Sequence, residues 1–271
     1  MPATRRRIPA HPKIAATMTT TVRFIGSGDS FGSGGRFQTC ILVESPAADA
    51  AQSSPTRFLL DCGASSLIAM RAQGVDPNSI DAILLTHFHG DHCAGVPFLL
   101  IDAMLGAKRQ RPLVVAGPPG TRERLGEMRE VLFPGSARMV PKFPLEFVEL
   151  QLNGVNQIGD LRVTPYPALH TPETVPTILR VETGGRIITY TGDTDWTEAL
   201  IPAAAGADLL ICECYYYEKT IRMHMNYATL RAHRARLDAR LIVLTHMADD
   251  MLARVASIPE RCASDGMMIA L

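Results

Sequence analysis

Three of the eight histidines in this 271-residue chain fall within six positions, in the run Thr86-His87-Phe88-His89-Gly90-Asp91-His92. Imidazole and carboxylate are the donors that borderline ions such as Zn²⁺ prefer. In an extended segment alternate side chains share a face, so His87 and His89 can address one ion while Phe88 packs the opposite way. Gly90 permits a sharp turn. Asp91 and His92 leave that turn at a helix start, where the macrodipole favours a carboxylate, and both can address a second ion. One such histidine alone would read as a solvated loop residue or a cap. The full His-x-His-x-Asp-His run, placed directly after the apolar Ile83-Leu84-Leu85, is far more specific.

The elements that must position this run are short apolar, β-branched segments bounded by Gly, Pro and Asp. Strands are expected at 22–25, 40–43, 58–60, 83–86, 113–116, 147–150, 161–164, 177–182, 186–191, 208–212 and 241–245. Helical periodicity covers 65–73, 92–105, 121–131, 197–204, 227–237 and 249–257. The first third is strand-rich, and helices and strands alternate thereafter. That order suits two packed sheets with helices outside them better than a simple doubly wound sheet. The Ala-, Ser- and Pro-rich stretch 45–56 reads as a loose hairpin loop.

The run His87-Phe88-His89-Gly90-Asp91-His92 resembles the signature motif of metallo-β-lactamase-fold hydrolases, which implies a four-layer αββα sandwich. Upstream, Leu60-Asp61-Cys62-Gly63 resembles the strand and turn before that motif, with Asp61 as a structural hydrogen-bonding residue and not a ligand. Downstream, His170 resembles the family's next metal histidine, Tyr190-Thr191-Gly192-Asp193-Thr194 its strand ending in a bridging aspartate, and Leu244-Thr245-His246 its last ligand. The resemblance implies two divalent ions, zinc first and manganese or iron as alternatives. His87, His89 and His170 would hold one ion, Asp91, His92 and His246 the other, with Asp193 between them.

Three segments are closest to the ribonuclease Z and phosphodiesterase branch: Phe24-Ile25-Gly26-Ser27-Gly28-Asp29-Ser30, Thr191-Gly192-Asp193-Thr194, and Asp208-Leu209-Leu210-Ile211-Cys212-Glu213. In that branch a later histidine pairs with the glutamate, and His224 is the candidate. Here Cys212 stands where the branch has a histidine, and Met223-His224-Met225-Asn226-Tyr227 departs from the usual Gly-His-Ser-Thr. The long transfer-RNA arm of true ribonuclease Z proteins has no room after His170. The expected activity is therefore hydrolysis of a small or cyclic phosphodiester by a metal-bound hydroxide oriented by Asp91, with His224, backed by Glu213, as proton donor. A ribonuclease Z-type transfer-RNA 3′-endonuclease is the runner-up. A lactone or thioester hydrolase on the same metals follows, and a non-catalytic metal-binding sensor comes last.

Composition bounds the rest. Lys plus Arg equals Asp plus Glu at 27 each, so the chain lacks the strongly basic balance of a dedicated nucleic-acid binder; RNA is not the favoured partner. The six cysteines form no disulfide framework and point to buried thiols in a reducing cytoplasm. Cys212 and Cys214 would share a strand face without forming a zinc pair. Residues 1–17, with Arg5, Arg6, Arg7 and Lys13 and no acid, read as a disordered extension before one large domain at 18–271. No stretch of about 18 apolar residues suggests a membrane span. Homodimerisation is compatible with the family. Tyr215-Tyr216-Tyr217 and Trp196 read as packing, and the basic residues Lys108, Arg109, Arg111, Arg122, Arg124 and Arg129 as a solvated face.

Overall fold

The computed structural model describes residues 19–47 and 55–271. The extension expected at 1–17, and residues 48–54 of the expected loop, lie outside the described residues. The first sheet contains β1 (Thr21–Gly26), β2 (Cys40–Ser45), β3 (Thr56–Leu60), β4 (Ala82–Leu84), β5 (Leu113–Gly117) and β6 (Leu145–Glu149). The second contains β7 (Asn156–Ile158), β8 (Leu161–Pro167), β9 (Thr177–Thr183), β10 (Arg186–Tyr190), β11 (Ala207–Glu213), β12 (Ala239–Thr245) and β13 (Arg261–Cys262). The last strand, β14 (Met268–Ala270), returns to the first sheet beside β1.

The two sheets repeat one plan. In the first, β14-β1-β2-β3 pair antiparallel and β3-β4-β5-β6 parallel. In the second, β7-β8-β9-β10 pair antiparallel and β10-β11-β12-β13 parallel. This pseudo-symmetry carries no visible signal in the sequence.

Strand alternation sorts side chains between layers. Phe24, Val43, Phe58 and Leu60 pack between the sheets with Val163, Val181, Ile188, Tyr190, Ile211 and Val243. The alternate residues Ile25, Leu42, Leu59 and Ile83 face outward, where Met70, Val96, Leu99 and Leu125 meet them. Those four come from α1 (Ser66–Ala72), from α3 (Gly95–Ile101), which follows the short α2 (Gly90–Cys93), and from α4 (Thr121–Leu132). On the far side Leu210, Cys212 and Leu244 pack with Leu200, Leu230 and Met251. These belong to α5 (Leu200–Ala204), α6 (Tyr227–His233) and α7 (Asp249–Leu252). The result is the expected αββα sandwich, with both sheets covered on both faces, which is why so many strands read as unbroken apolar runs.

Three expectations need correction. The single helix expected at 92–105 is broken into α2, α3 and a π-helical turn, Asp102–Gly106. The break falls at Gly95, whose Cβ, were there one, would lie 2.2 Å from the Gly63 carbonyl oxygen, and Pro97 removes a donor from the next turn. Helices expected at 197–204, 227–237 and 249–257 are shorter, the last two ending in 3₁₀ turns, Arg234–Arg236 and Val255–Ser257. Finally, Arg109 is not part of a solvated face. Its buried guanidinium donates to the carbonyls of Asn78, Ile80, Arg111 and Pro112. Arg122 and Arg124 are exposed as expected. Among the described residues no helix is long and apolar enough to cross a membrane.

Candidate metal centre

Asp61 follows β3, His87 β4, Asp193 β10 and His246 β12, and Glu213 closes β11. These strands carry their C-terminal ends to one end of the sandwich, where ligands of α/β sheets usually bind. His170, past the end of β8, joins them because β8 runs parallel to β10 through the shared neighbour β9.

All seven residues expected as ligands meet there, in two groups. In the first, His89 Nδ1 lies 3.2 Å from His87 Nε2 and 3.0 Å from His170 Nε2. In the second, His92 Nε2 and His246 Nε2 lie 3.3 Å apart, with Asp91 Oδ2 3.3 Å from the former and 3.1 Å from the latter. Asp193 stands between the groups. Its Oδ1 is 3.1 Å from His92 Nε2 and 3.4 Å from His246 Nε2, and its Oδ2 is 4.0 Å from His87 and 3.9 Å from His170. Within each group one donor atom per residue lies within 4.8 Å of every other.

Neighbouring groups fix how these rings point. The buried Asp61 carboxylate accepts from the Thr86 N–H and hydroxyl, both at 2.8 Å, and from His92 Nδ1 at 2.7 Å. Asp61 thus orients a ligand-type ring and contributes no atom to either group. His87 Nδ1 meets the Thr86 hydroxyl at 3.0 Å, and His170 Nδ1 donates to the Met223 carbonyl at 2.8 Å. In each case the opposite nitrogen, Nε2, is left for the centre. Sequence reasoning missed Thr86 and Met223, and a backbone carbonyl leaves no trace in residue type.

His224 and Glu213 also come together. His224 Nδ1 contacts Glu213 Oε1 and lies 3.9 Å from Asp193 Oδ2. Glu213 is fully buried, and its Oε2 accepts the Thr194 N–H at 2.6 Å. The Tyr215 ring stacks on His224 at 4.9 Å between centroids. Tyr215 is packed, as expected, but its packing partner is a site residue; its position two residues after Glu213 was the available signal. Trp196 instead stacks on His233, at 3.9 Å between centroids.

The electrostatics fit cations. Burial, the largest influence on His87 and His170, pushes both down, His170 to about 4, which favours the neutral ring that a cation needs. His89 Nδ1, at 3.2 Å from His87 Nε2 and 3.0 Å from His170 Nε2, completes a set of three imidazole nitrogens that suits a cation. In the second group burial opposes charge, yet Asp193, Asp91 and Asp61 raise His92, and Asp193 and Asp91 lift His246 to about 9. Burial likewise pushes the Asp91 carboxyl upward, but His92 and His246 hold it far below the ordinary range. The buried Asp193 Oδ1 faces His92 Nε2 and His246 Nε2, the nitrogens turned toward the second group. A borderline divalent cation satisfies these nitrogen and oxygen donors together.

Residues 56–247 match the family model described as a beta-lactamase superfamily domain. Ribonuclease Z from Agathobacter rectalis is 26% identical over 263 residues, spanning 75% of this chain and 84% of that protein. The metallo-beta-lactamase fold protein YhfI from Bacillus subtilis superposes with a TM-score of 0.73 at 20% identity, covering 93% of this chain and 99% of that one. A diphosphatase from the PhnP family superposes at 0.68 with 19% identity, covering 92% and 97%.

Proposed function

We propose that this chain, which belongs to the beta-lactamase superfamily, is a binuclear metal-dependent hydrolase acting on a small or cyclic phosphodiester. In this reading His87, His89 and His170 would hold one cation and Asp91, His92 and His246 a second, with Asp193, which belongs to both donor groups, between them. The donor set suits zinc first, with manganese or iron as alternatives. Bound there, such cations would supply Lewis acidity toward a phosphoryl oxygen and a source of hydroxide near neutral pH.

The chain's own residues do the rest. Asp91, which reaches into the second group, accepts a hydrogen bond from the attacking water and orients it. His224 protonates the leaving oxygen. Glu213 holds His224 through Nδ1, so Nε2 is the nitrogen free to give a proton, and Tyr215 covers one face of the ring. The observation that carries this reading is the contact of His224 with a fully buried carboxylate, 3.9 Å from Asp193. Such a pair has a use where a leaving alkoxide needs a proton.

A ribonuclease Z activity is the second reading, favoured by the name of the Agathobacter relative. Against it, only residues 171–176 separate His170 from β9, and they form one tight turn around Pro172–Thr174. That connection holds no arm for transfer RNA. The test is turnover of bis-p-nitrophenyl phosphate and 2′,3′-cyclic nucleotides by protein loaded with Zn²⁺ or Mn²⁺, beside a precursor transfer RNA, a lactone and a thioester. His224→Ala is expected to lower kcat on the phosphodiesters by about 10²–10⁴-fold. Absence of phosphodiester turnover with both metals would sink the reading, and turnover of the precursor alone would replace it with the second.

A further inference from the structure

Three of the four histidines that turn Nε2 inward have a partner for Nδ1: the Thr86 hydroxyl for His87, Asp61 for His92, and the Met223 carbonyl for His170. The fourth does not. His246 Nδ1 is buried and makes no hydrogen bond among the described residues, and the carboxylate oxygen nearest to it there is Glu213 Oε1, at 3.7 Å. A ring that offers the Nε2 lone pair to a cation carries its proton on Nδ1, and ligand histidines almost always donate that proton to a carboxylate, carbonyl or water. Among the described residues Glu213 fills that description for His246.

We infer that Glu213 is the acceptor for His246 as well as for His224, so that one buried carboxylate positions both a metal ligand and the proton donor. The inference rests on the binuclear reading above. Geometry supports the sharing, since both histidines approach the same oxygen, Oε1, while the Thr194 N–H fixes Oε2. An ionised carboxylate oxygen can accept from two donors at once. A cation held at Nε2 would make the Nδ1 proton a stronger donor, which would favour a hydrogen bond across the present 3.7 Å separation. Glu213 is thereby a positioning residue for the second cation, held by residues from three places in the chain: the turn after β10, the segment before α6, and the end of β12.

The experiment is a competition titration of full-length protein with Zn²⁺ against a chromophoric chelator, resolving the affinity of each bound ion, for wild type, Glu213→Gln, Glu213→Asp and His224→Ala. In Glu213→Gln one of the two zinc affinities, that of the group containing His246, is expected to fall by about 10–100-fold, the range found when outer-shell partners are removed. His224→Ala keeps Glu213 and is expected to retain both affinities. Glu213→Asp, which keeps the charge, is expected to recover part of the loss and also serves if the glutamine variant does not fold. Wild-type affinities in both Glu213 variants, or an equal loss in His224→Ala, would overturn the inference. Fewer than two zinc ions on the wild-type chain would instead overturn the binuclear reading on which it stands.

Discussion

At the scale of single residues, the rings of His87, His92 and His170 have their second nitrogen already committed to a neighbour. Asp61 is the clearest such neighbour. It sits with φ at +58°, a conformation that a non-glycine residue adopts at a cost, and spends both oxygens on Thr86 and His92. Asp61→Asn keeps the shape but turns an amide N–H₂ toward a donor, so His92 loses its orientation. Zinc content after gel filtration, measured by elemental analysis, is expected to fall from about two ions per chain toward one. An unchanged ratio would show that Asp61 has no part in holding His92. The ligand-type residues were legible in the sequence because they are His and Asp residues gathered in the turns and the helix start that follow apolar strands. Their supports were less so. Asp61 could be read from its place before the motif, whereas Thr86 is an ordinary strand-end residue and Met223 acts through its backbone. The place of Tyr215 two residues after Glu213 hinted at the site, but which ring it packs on is decided by the fold.

At the scale of elements, the strands were readable because both sheets are buried on both faces, and the lengths of β1 to β6 follow their apolar runs to within a few residues. β7, β13 and β14 were missed. They span two or three residues each, too short for any alternation to register, and they pair only at sheet edges. The broken helix after His92 was missed for a different reason: its periodicity is helical, but close backbone approach overrides it. The Gly63 α-carbon is pressed against the Asp91 carbonyl, where an added Cβ would lie 2.2 Å from the oxygen, and Gly95 in turn is pressed against Gly63. This stack of two glycines seats α2, and with it Asp91 and His92, on the turn after β3. Gly63→Ala must push the turn and α2 apart. Overpacking of this kind costs about 1–3 kcal/mol, and the clash with backbone points to the upper end, so Tm is expected to drop by roughly 4–10 °C by calorimetry. A Tm within a degree of wild type would mean that the turn moves freely.

At the scale of the whole molecule, the repeated sheet plan explains why one centre draws on both halves of the chain. His87, His89, Asp91 and His92 come from the first sheet, while His170, Asp193 and His246 come from the second. In the proposed arrangement each cation is shared between sheets, since the first group takes His170 and the second takes His246. Cation binding is then linked to the packing of one sheet on the other, and the unfolded chain, which scatters these residues over positions 87–246, offers no comparable site. For one site the linkage is about 2.7 kcal/mol when free ligand is at 100 times its Kd. A protein of this size shifts by about 2–4 °C per kcal/mol, so each filled site should raise Tm by roughly 5–10 °C. Zinc-loaded protein should therefore melt well above protein stripped with a chelator, and the rise should grow with zinc concentration without changing the cooperativity of the transition. His170→Ala and His246→Ala, one from each group, should each remove part of that rise and leave the chelator-treated Tm lower by less than the loss on the zinc-loaded side. Equal melting with zinc and with chelator would mean that the two sheets are not joined through cations, and the ligand geometry at their shared end would need another explanation.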